Sequence, residues 1–249
     1  MILLFDVGNS NIGFAIYEER AGLIKKWRIR TKLDRTSDEY AMIIDNMIKD
    51  YDINHIVIGS VVPIITDLLI DFSEAYHNIK PLVIGPGVKT GLDIKLNNPK
   101  EIGADLVATA VGALSGHSGP LIVIDLGTAT KLTYVENNTF YGGLVTPGVE
   151  TSLHGLVNNT ALLPHIEMKA PKRVVCRGTV TAMQSGIVYG TASMIDGLIE
   201  KIETEQGQNC TLVATGGLSK YIIPHCKRDI TLDQDLIFKG LIEIYHKNQ

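Results

Sequence analysis

Two short stretches of this 249-residue chain carry the same chemistry. One reads Leu4-Phe5-Asp6-Val7-Gly8-Asn9-Ser10-Asn11, continuing into Ile12 and Gly13. The other reads Val123-Ile124-Asp125-Leu126-Gly127-Thr128-Ala129-Thr130. Each is an apolar strand ending in an aspartate, then a glycine, then small hydroxyl or amide residues. A phosphate tail needs backbone N–H groups brought close, which glycine permits, and small side chains that donate hydrogen bonds. An aspartate at the strand end can hold a cation on those phosphates. Either copy alone is equally an ordinary strand running into a turn. Two copies facing each other would clamp a phosphate tail from both sides.

Two further segments fit the same chemistry. Val213-Ala214-Thr215-Gly216-Gly217-Leu218 is a strand ending in paired glycines before a helix, where no Cβ keeps the backbone from an adenosine; it is also a tight strand-to-helix turn. Asn97-Asn98-Pro99-Lys100-Glu101-Ile102-Gly103-Ala104-Asp105-Leu106 leads into a helix that runs to about Leu114. Asp105 falls in the first turn or two of that helix, where the helix dipole favours a carboxylate able to accept a proton. Gly103 is a poor helix former, so its place beside Asp105 makes sense if a ligand approaches the backbone there.

The elements that must position these residues follow from periodicity. Residues 2–7 read as a buried strand, with 12–17 and 23–30 as two more. Thr36-Ser37-Asp38-Glu39 is a capping box, opening a helix with Tyr40, Ile43, Ile44, Met47, Ile48 and Tyr51 on one face. Residues 55–59 form a strand, Pro63 starts a helix, and 81–84 form another strand. The second half repeats this order: strands at 120–125, 130–135 and 139–145, helices at 149–158 and 179–204, a strand at 210–215, a short helix, a short strand near 229–231, and a last helix opened by Asp233. The small, polar run Ser115-Gly116-His117-Ser118-Gly119-Pro120 is the best boundary, giving domains 1–117 and 118–249.

Composition narrows the function classes. A formal net charge of −4 provides no basic footprint for nucleic acid. Asp6, Asp125 and Glu136 interrupt the most apolar strands, so no run has the length of a membrane span. The N-terminus has no basic region ahead of its apolar run, which argues against a signal peptide. Three cysteines without C-x-x-C spacing argue against a disulfide framework or a zinc site and suit a reducing cytoplasm. Cys176 reads as a small buried residue and His154 as a surface or interface histidine.

Two β-β-β-α-β-α-β units, each beginning with a phosphate-type turn, resemble the duplicated ribonuclease H-like fold of the actin, sugar-kinase and Hsp70 superfamily: an α/β architecture of two tandem domains with mixed five-stranded sheets flanked by helices. Over nearly the whole chain the motifs resemble one family within it, the type III pantothenate kinases. They are Asp6-Val7-Gly8-Asn9-Ser10-Asn11, Asn98-Pro99-x-Glu101-x-Gly103-x-Asp105, Asp125-x-Gly127-Thr128-Ala129 and Gly142-Gly143-x-x-x-Pro147-Gly148. Thr160-Ala161-x-Leu163-Pro164, Thr179-x-x-Ala182-Met183-Gln184-Ser185-Gly186 and Thr215-Gly216-Gly217 complete the set. The resemblance implies ATP-dependent phosphorylation of pantothenate, the first step toward coenzyme A, by a cytoplasmic homodimer with its substrate site at the interface. It implies Mg²⁺ with the nucleotide and a monovalent cation, K⁺ or NH₄⁺. By motif, Asp6 to Gly13 would hold the ATP phosphates with Asp6 facing the Mg²⁺. Asp105 would be the catalytic base, Asp125 would bind the monovalent cation, and Thr128, Gly216 and Gly217 would bind the nucleotide. Gly103, Ala104, Asp105, Leu106 and Thr179 would line the pantothenate site.

The chain departs from the family pattern at two positions. Leu106 stands where an arginine usually follows the aspartate, and leucine cannot grip a carboxylate in bidentate fashion. Lys131 and Arg177 are spare cations for that task, though each reads more readily as a solvated basic side chain. Gly178 stands where an asparagine usually precedes Thr179. The missing arginine keeps open a second reading, a non-catalytic paralogue acting as a nucleotide-binding accessory regulator of transcription. Retention of Asp6, Asp105 and Asp125 argues for the enzyme.

Overall fold

The computed structural model describes residues 1–249 throughout. Its central strands are apolar on both faces because both faces are covered. β1 (Ile2–Val7) pairs antiparallel with β2 (Asn11–Glu18), which pairs antiparallel with β3 (Gly22–Arg30). On its other side β1 pairs parallel with β4 (His55–Ser60), and β4 with the short β5 (Leu82–Val83), giving the order β3-β2-β1-β4-β5. Alternate residues of a strand point to opposite faces. Leu3, Phe5 and Val7 pack with Tyr40 and Ile44 of α1 (Ser37–Ile48) and with Ile65, Leu69 and Phe72 of α2 (Pro63–His77). Thr36 and Glu39 form the expected reciprocal capping box at the start of α1, and Pro63 opens α2. Asp6 lies on the opposite face to Phe5, at the carboxyl end of the strand.

The second half repeats the first strand for strand. β7 (Leu121–Leu126), β8 (Ala129–Glu136), β9 (Thr139–Pro147), β10 (Thr211–Thr215) and β11 (Thr231–Leu232) take the order β11-β10-β7-β8-β9, with the same parallel and antiparallel relations. Ile122, Ile124 and Leu126 turn toward Val188, Ala192, Ile195 and Ile199 of α5 (Thr179–Gln206). α4 (Val149–Asn158) spans the residues its periodicity indicates. β1 and β7 show the same sequence of buried and half-buried positions, and the half-buried fifth residue is Asp6 in one and Asp125 in the other.

Four details differ from the sequence expectation. The second sheet has a sixth strand, β6 (Asp93–Ile94), at the edge beside β9, with the Lys95 amide donating to the Phe140 carbonyl (2.9 Å). Two residues are too short a run for periodicity to show. Pro99 opens a 3₁₀ turn (Pro99–Glu101), and α3 (Ala104–Gly116) begins only after Ile102 has gone extended. After the short α6 (Ser219–Ile222), α7 (Leu236–His246) starts three residues past Asp233, whose carboxylate accepts from the Asp235 amide (3.0 Å) in a turn ahead of the helix.

Finally, the chain divides by contact into residues 1–93, 97–115 and 236–249 on one side and 94–96 and 116–235 on the other. A single cut after residue 117 would put α7 with the second half. α7 packs with the first because Gly112 of α3 and Gly240 of α7 bring the two backbones together. A Cβ at Gly240 would stand 1.8 Å from the Ala108 carbonyl oxygen, and one at Gly112 2.1 Å from that of Leu236. Phe238 and Leu241 of α7 then reach Gly13 and Gly59 on the sheet face that carries Asp6.

One buried ion pair ties α5 to the loop before β11. Glu203, 9% exposed, accepts two hydrogen bonds from the Arg228 guanidinium, each 2.7 Å, and one from the Cys210 amide (2.9 Å). The Arg228 hydrogen bonds hold the Glu203 carboxyl below its ordinary 4.5, against the opposing effect of burial. A folded-state value below the unfolded one adds stability above the ordinary value and loses it as pH falls through the depressed one. Glu203→Gln should therefore cost about 2 kcal/mol at neutral pH, and its urea midpoint should converge on that of the wild type as pH drops below about 4.5. A gap independent of pH would rule out the ion pair as its source.

Candidate active site

In the first unit the chain reverses between β1 and β2 through residues 8–11. The Gly8 amide donates to the Asn11 carbonyl (2.9 Å), and Thr31, just past β3, braces the turn. Its hydroxyl donates to the Gly8 carbonyl (2.6 Å) and its amide to the Ser10 carbonyl (3.1 Å). Asp6 stands beside this turn, flanked across the sheet by two glycines, Gly13 on β2 and Gly59 on β4. A Cβ at Gly13 would sit 3.5 Å from the Phe238 ring and 3.8 Å from the Asp6 Cβ and Oδ2, so neither residue paired with Asp6 across the sheet has a side chain, and α7 lies over both.

Val61 connects this turn to Asp105. Its amide donates to the Val7 carbonyl (3.0 Å), and its Cγ1 would be 3.2 Å from a Cβ at Gly103. Asp105, second residue of α3, folds back so that its Oδ1 accepts from the Leu106 amide (2.8 Å) and lies 2.4 Å from where a Gly103 Cβ would be. Gly103 is thus a requirement of the Asp105 rotamer, and Asp6, the 8–11 turn, Gly103 and Asp105 gather at the carboxyl ends of β1 and β4. Ala104 is buried beside them, and Leu106 is half-buried.

In the second unit the reversal between β7 and β8 is one residue shorter, through Gly127, Thr128 and the first residue of β8, Ala129. The Gly127 amide donates to the Ala129 carbonyl (3.2 Å). Two glycines press on this turn. A Cβ at Gly148 would lie 2.2 Å from the Thr128 carbonyl oxygen. One at Gly216, whose φ is +92°, would lie 2.6 Å from the Leu126 carbonyl oxygen. The Thr151 hydroxyl also donates to the Thr128 carbonyl (2.9 Å). The need for glycine at 216 is therefore met within the fold. Thr179 is the exposed first residue of α5, whose N-cap is Gly178, with no side chain to cap the helix.

The shorter turn sets a register that the sequence reading weighed only as a spare charge. Asp125 is opposed by Lys131 across β7–β8 and by Thr215 on β10. The Lys131 Nζ lies 2.9 Å from Asp125 Oδ2, with the two side chains only 15% and 17% exposed. Lys131 is thus neither a solvated side chain nor a cation held out for a substrate carboxylate. Counting residues across the hairpin would have found the pair.

The two aspartates consequently suit different ions. Asp6 offers carboxylate oxygens of the kind that would hold a Mg²⁺ ion accompanying a nucleotide. The monovalent cation expected at Asp125 does not fit, because the ammonium already holds that carboxylate. A second cation about 4 Å from the ammonium would be repelled by about 4 kcal/mol at an effective dielectric of 20. That matches the pull one carboxylate offers at the same distance, leaving nothing to draw the ion from water.

The fold places the chain in a known class. A solved structure from Campylobacter jejuni, provisionally described as a conserved Baf-family transcriptional activator, aligns with a TM-score of 0.62 at 19% identity, over 99% of this chain and 98% of that one. Component A of the (R)-2-hydroxyglutaryl-CoA dehydratase of Acidaminococcus fermentans aligns at 0.57 and 13% identity, over 100% and 99%. This is the actin-like ATPase and sugar-kinase fold. Sequence goes further. The family model for type III pantothenate kinase matches residues 2–201. The type III pantothenate kinase of Acholeplasma laidlawii (strain PG-8A) is 43% identical over 248 residues, covering 100% of this chain and 99% of its own length. The chain belongs to the type III pantothenate kinase family.

Gly103→Ala should push the Asp105 carboxylate from its seat and lower turnover about a hundredfold, with nucleotide affinity and melting temperature near wild type. Wild-type turnover in this variant would show that the Asp105 rotamer is not needed.

Proposed function

We propose that this chain transfers the γ-phosphoryl group of ATP to the primary hydroxyl of pantothenate, giving 4′-phosphopantothenate, the first step of coenzyme A biosynthesis. The observation that carries the reading is the Gly103–Asp105 seat, a carboxylate held in one rotamer at the start of α3, beside the turn that follows Asp6. Phosphoryl transfer is mostly positioning and charge neutralisation, with a base to receive the hydroxyl proton. Asp105 is that base. Residues Asp6 to Gly13 hold the phosphates through the amides of the 8–11 turn, and Asp6 would hold the Mg²⁺ that accompanies the nucleotide, an ion that would supply neutralisation of phosphate charge. Thr128, Gly216 and Gly217 contact the nucleotide; Gly103 to Leu106 and Thr179 line the acceptor site. Leu106 offers no charge to the pantothenate carboxylate, so part of the substrate's grip comes from elsewhere.

A homodimer with the substrate site at its interface suits the surface of the second unit. Val145, Leu162, Val174 and Val175 are exposed, and added Cβ atoms at Gly186 and Gly190 of α5 would meet nothing within 4 Å. No helix is long and apolar enough to cross a membrane, and all three cysteines are free thiols, which accords with work in the cytoplasm.

The test is ADP release with pantothenate and Mg²⁺-ATP. Turnover should require both pantothenate and Mg²⁺. Asp105→Asn should reduce it by about 10²–10⁴-fold while still binding nucleotide, and light scattering should give twice the 27.2 kDa chain mass. Absence of pantothenate-dependent turnover in a nucleotide-binding preparation would remove the kinase reading.

A further inference from the structure

The duplication supplies its own control for reading the Asp125–Lys131 pair. Asp6 and Asp125 occupy the same position in equivalent strands, each at the mouth of an equivalent turn. Across the sheet from Asp6 stand Gly13 and Gly59; across from Asp125 stand Lys131 and Thr215. In one copy neither cross-strand neighbour has a side chain, and Phe238 and Leu241 of α7 lie over the two glycines. In the other a cross-strand neighbour sets an ammonium 2.9 Å from Oδ2, both side chains mostly shielded from water. An anionic carboxylate at a phosphate-binding turn repels the ligand unless a cation accompanies it. In the second copy the chain carries its own.

We propose that Lys131 is the resident cation of the second phosphate turn. From within the chain it does the neutralising that a soluble monovalent cation would otherwise do at Asp125, so phosphoryl transfer by this protein needs neither K⁺ nor NH₄⁺. The inference rests on the kinase reading for its turnover arm and on nucleotide binding alone for its second arm. A tethered ammonium is chemically an ammonium ion at very high effective concentration, and its ordering is completed at folding rather than at each binding event. Lys131 acts through Asp125 and the turn it steadies, which makes it a positioning residue. Removing it leaves both an unneutralised carboxylate and a vacancy the size of a small cation. The protein would then acquire the dependence that the native chain lacks.

The experiment compares wild type, Lys131→Ala and Lys131→Met in tetramethylammonium buffer, with and without about 100 mM K⁺ or NH₄⁺ at matched ionic strength. Two quantities are read: pantothenate-dependent kcat and KM for ATP, and calorimetric affinity for Mg²⁺-ADP without acceptor. Wild type should change less than about twofold on adding K⁺ in either measurement. Lys131→Ala should bind nucleotide about tenfold more weakly without K⁺ and recover most of the loss with K⁺ or NH₄⁺. Lys131→Met fills the vacancy with uncharged atoms, so it should be impaired and not rescued, which separates lost charge from lost packing. Wild type activated more than about fivefold by K⁺, or Lys131→Ala indifferent to it in both measurements, would overturn the proposal. A Lys131→Ala that fails to fold leaves the wild-type arm and Lys131→Met to decide: an unimpaired Lys131→Met would overturn it. Wild type that binds nucleotide without K⁺ yet never phosphorylates pantothenate would end the kinase reading and leave this one standing. Wild type that binds no nucleotide in any buffer would end both.

Discussion

Both halves of this protein depend on an aspartate held at the end of a strand that is otherwise apolar on both faces. β1 and β7 are central strands, and burial on two sides is what makes Leu3, Leu4 and Phe5, or Ile122, Val123 and Ile124, a continuous hydrophobic run. The strand is thereby fixed in register and depth. The polar residue at its fifth position can only emerge where the cover ends, at the carboxyl end of the sheet. Burial of the strand positions the carboxylate, and the turn behind it follows.

The turns are then shaped by what cannot be there. Gly148 and Gly216 admit the backbone of the second turn to within distances no side chain would allow, and Gly103 does the same for the Asp105 carboxylate. Elsewhere in the two sheets glycine lets a helix approach: Phe238 of α7 lies over Gly13 beside Asp6, whereas Lys131 stands at the matching place beside Asp125. The repeat preserves the frame and lets the two aspartates differ in what stands across from each.

Much of this was legible in the sequence because it is local. The capping box at Thr36, Pro63 at the start of α2, α4 over 149–158 and the paired strand–turn motifs depend on residues a few positions apart. What escaped is non-local. The edge strand β6 exists only through its partner β9. Residues 236–246 join the first unit only because Gly240 meets Ala108, and no periodicity announces a meeting across more than a hundred residues. The Lys131–Asp125 pair lies between these extremes. Its spacing is short, but it becomes visible only when the length of the intervening turn fixes which residues oppose one another.

The return of α7 has a consequence for synthesis. The sheet of the first unit is made early, yet the helix that covers its Asp6 face, with Phe238 over Gly13 and Leu241 over Gly59, leaves the ribosome more than a hundred residues later. Throughout that interval the nascent chain carries an apolar sheet face with no lid, a state in which chains recruit chaperones or associate with one another. Completion of the fold around Asp6 and the 8–11 turn therefore waits on translation of the far end of the message. A premature stop codon between residues 130 and 235 would strip the first unit of its cover while leaving every residue of both strand-end turns, 8–11 and 127–129, in the product.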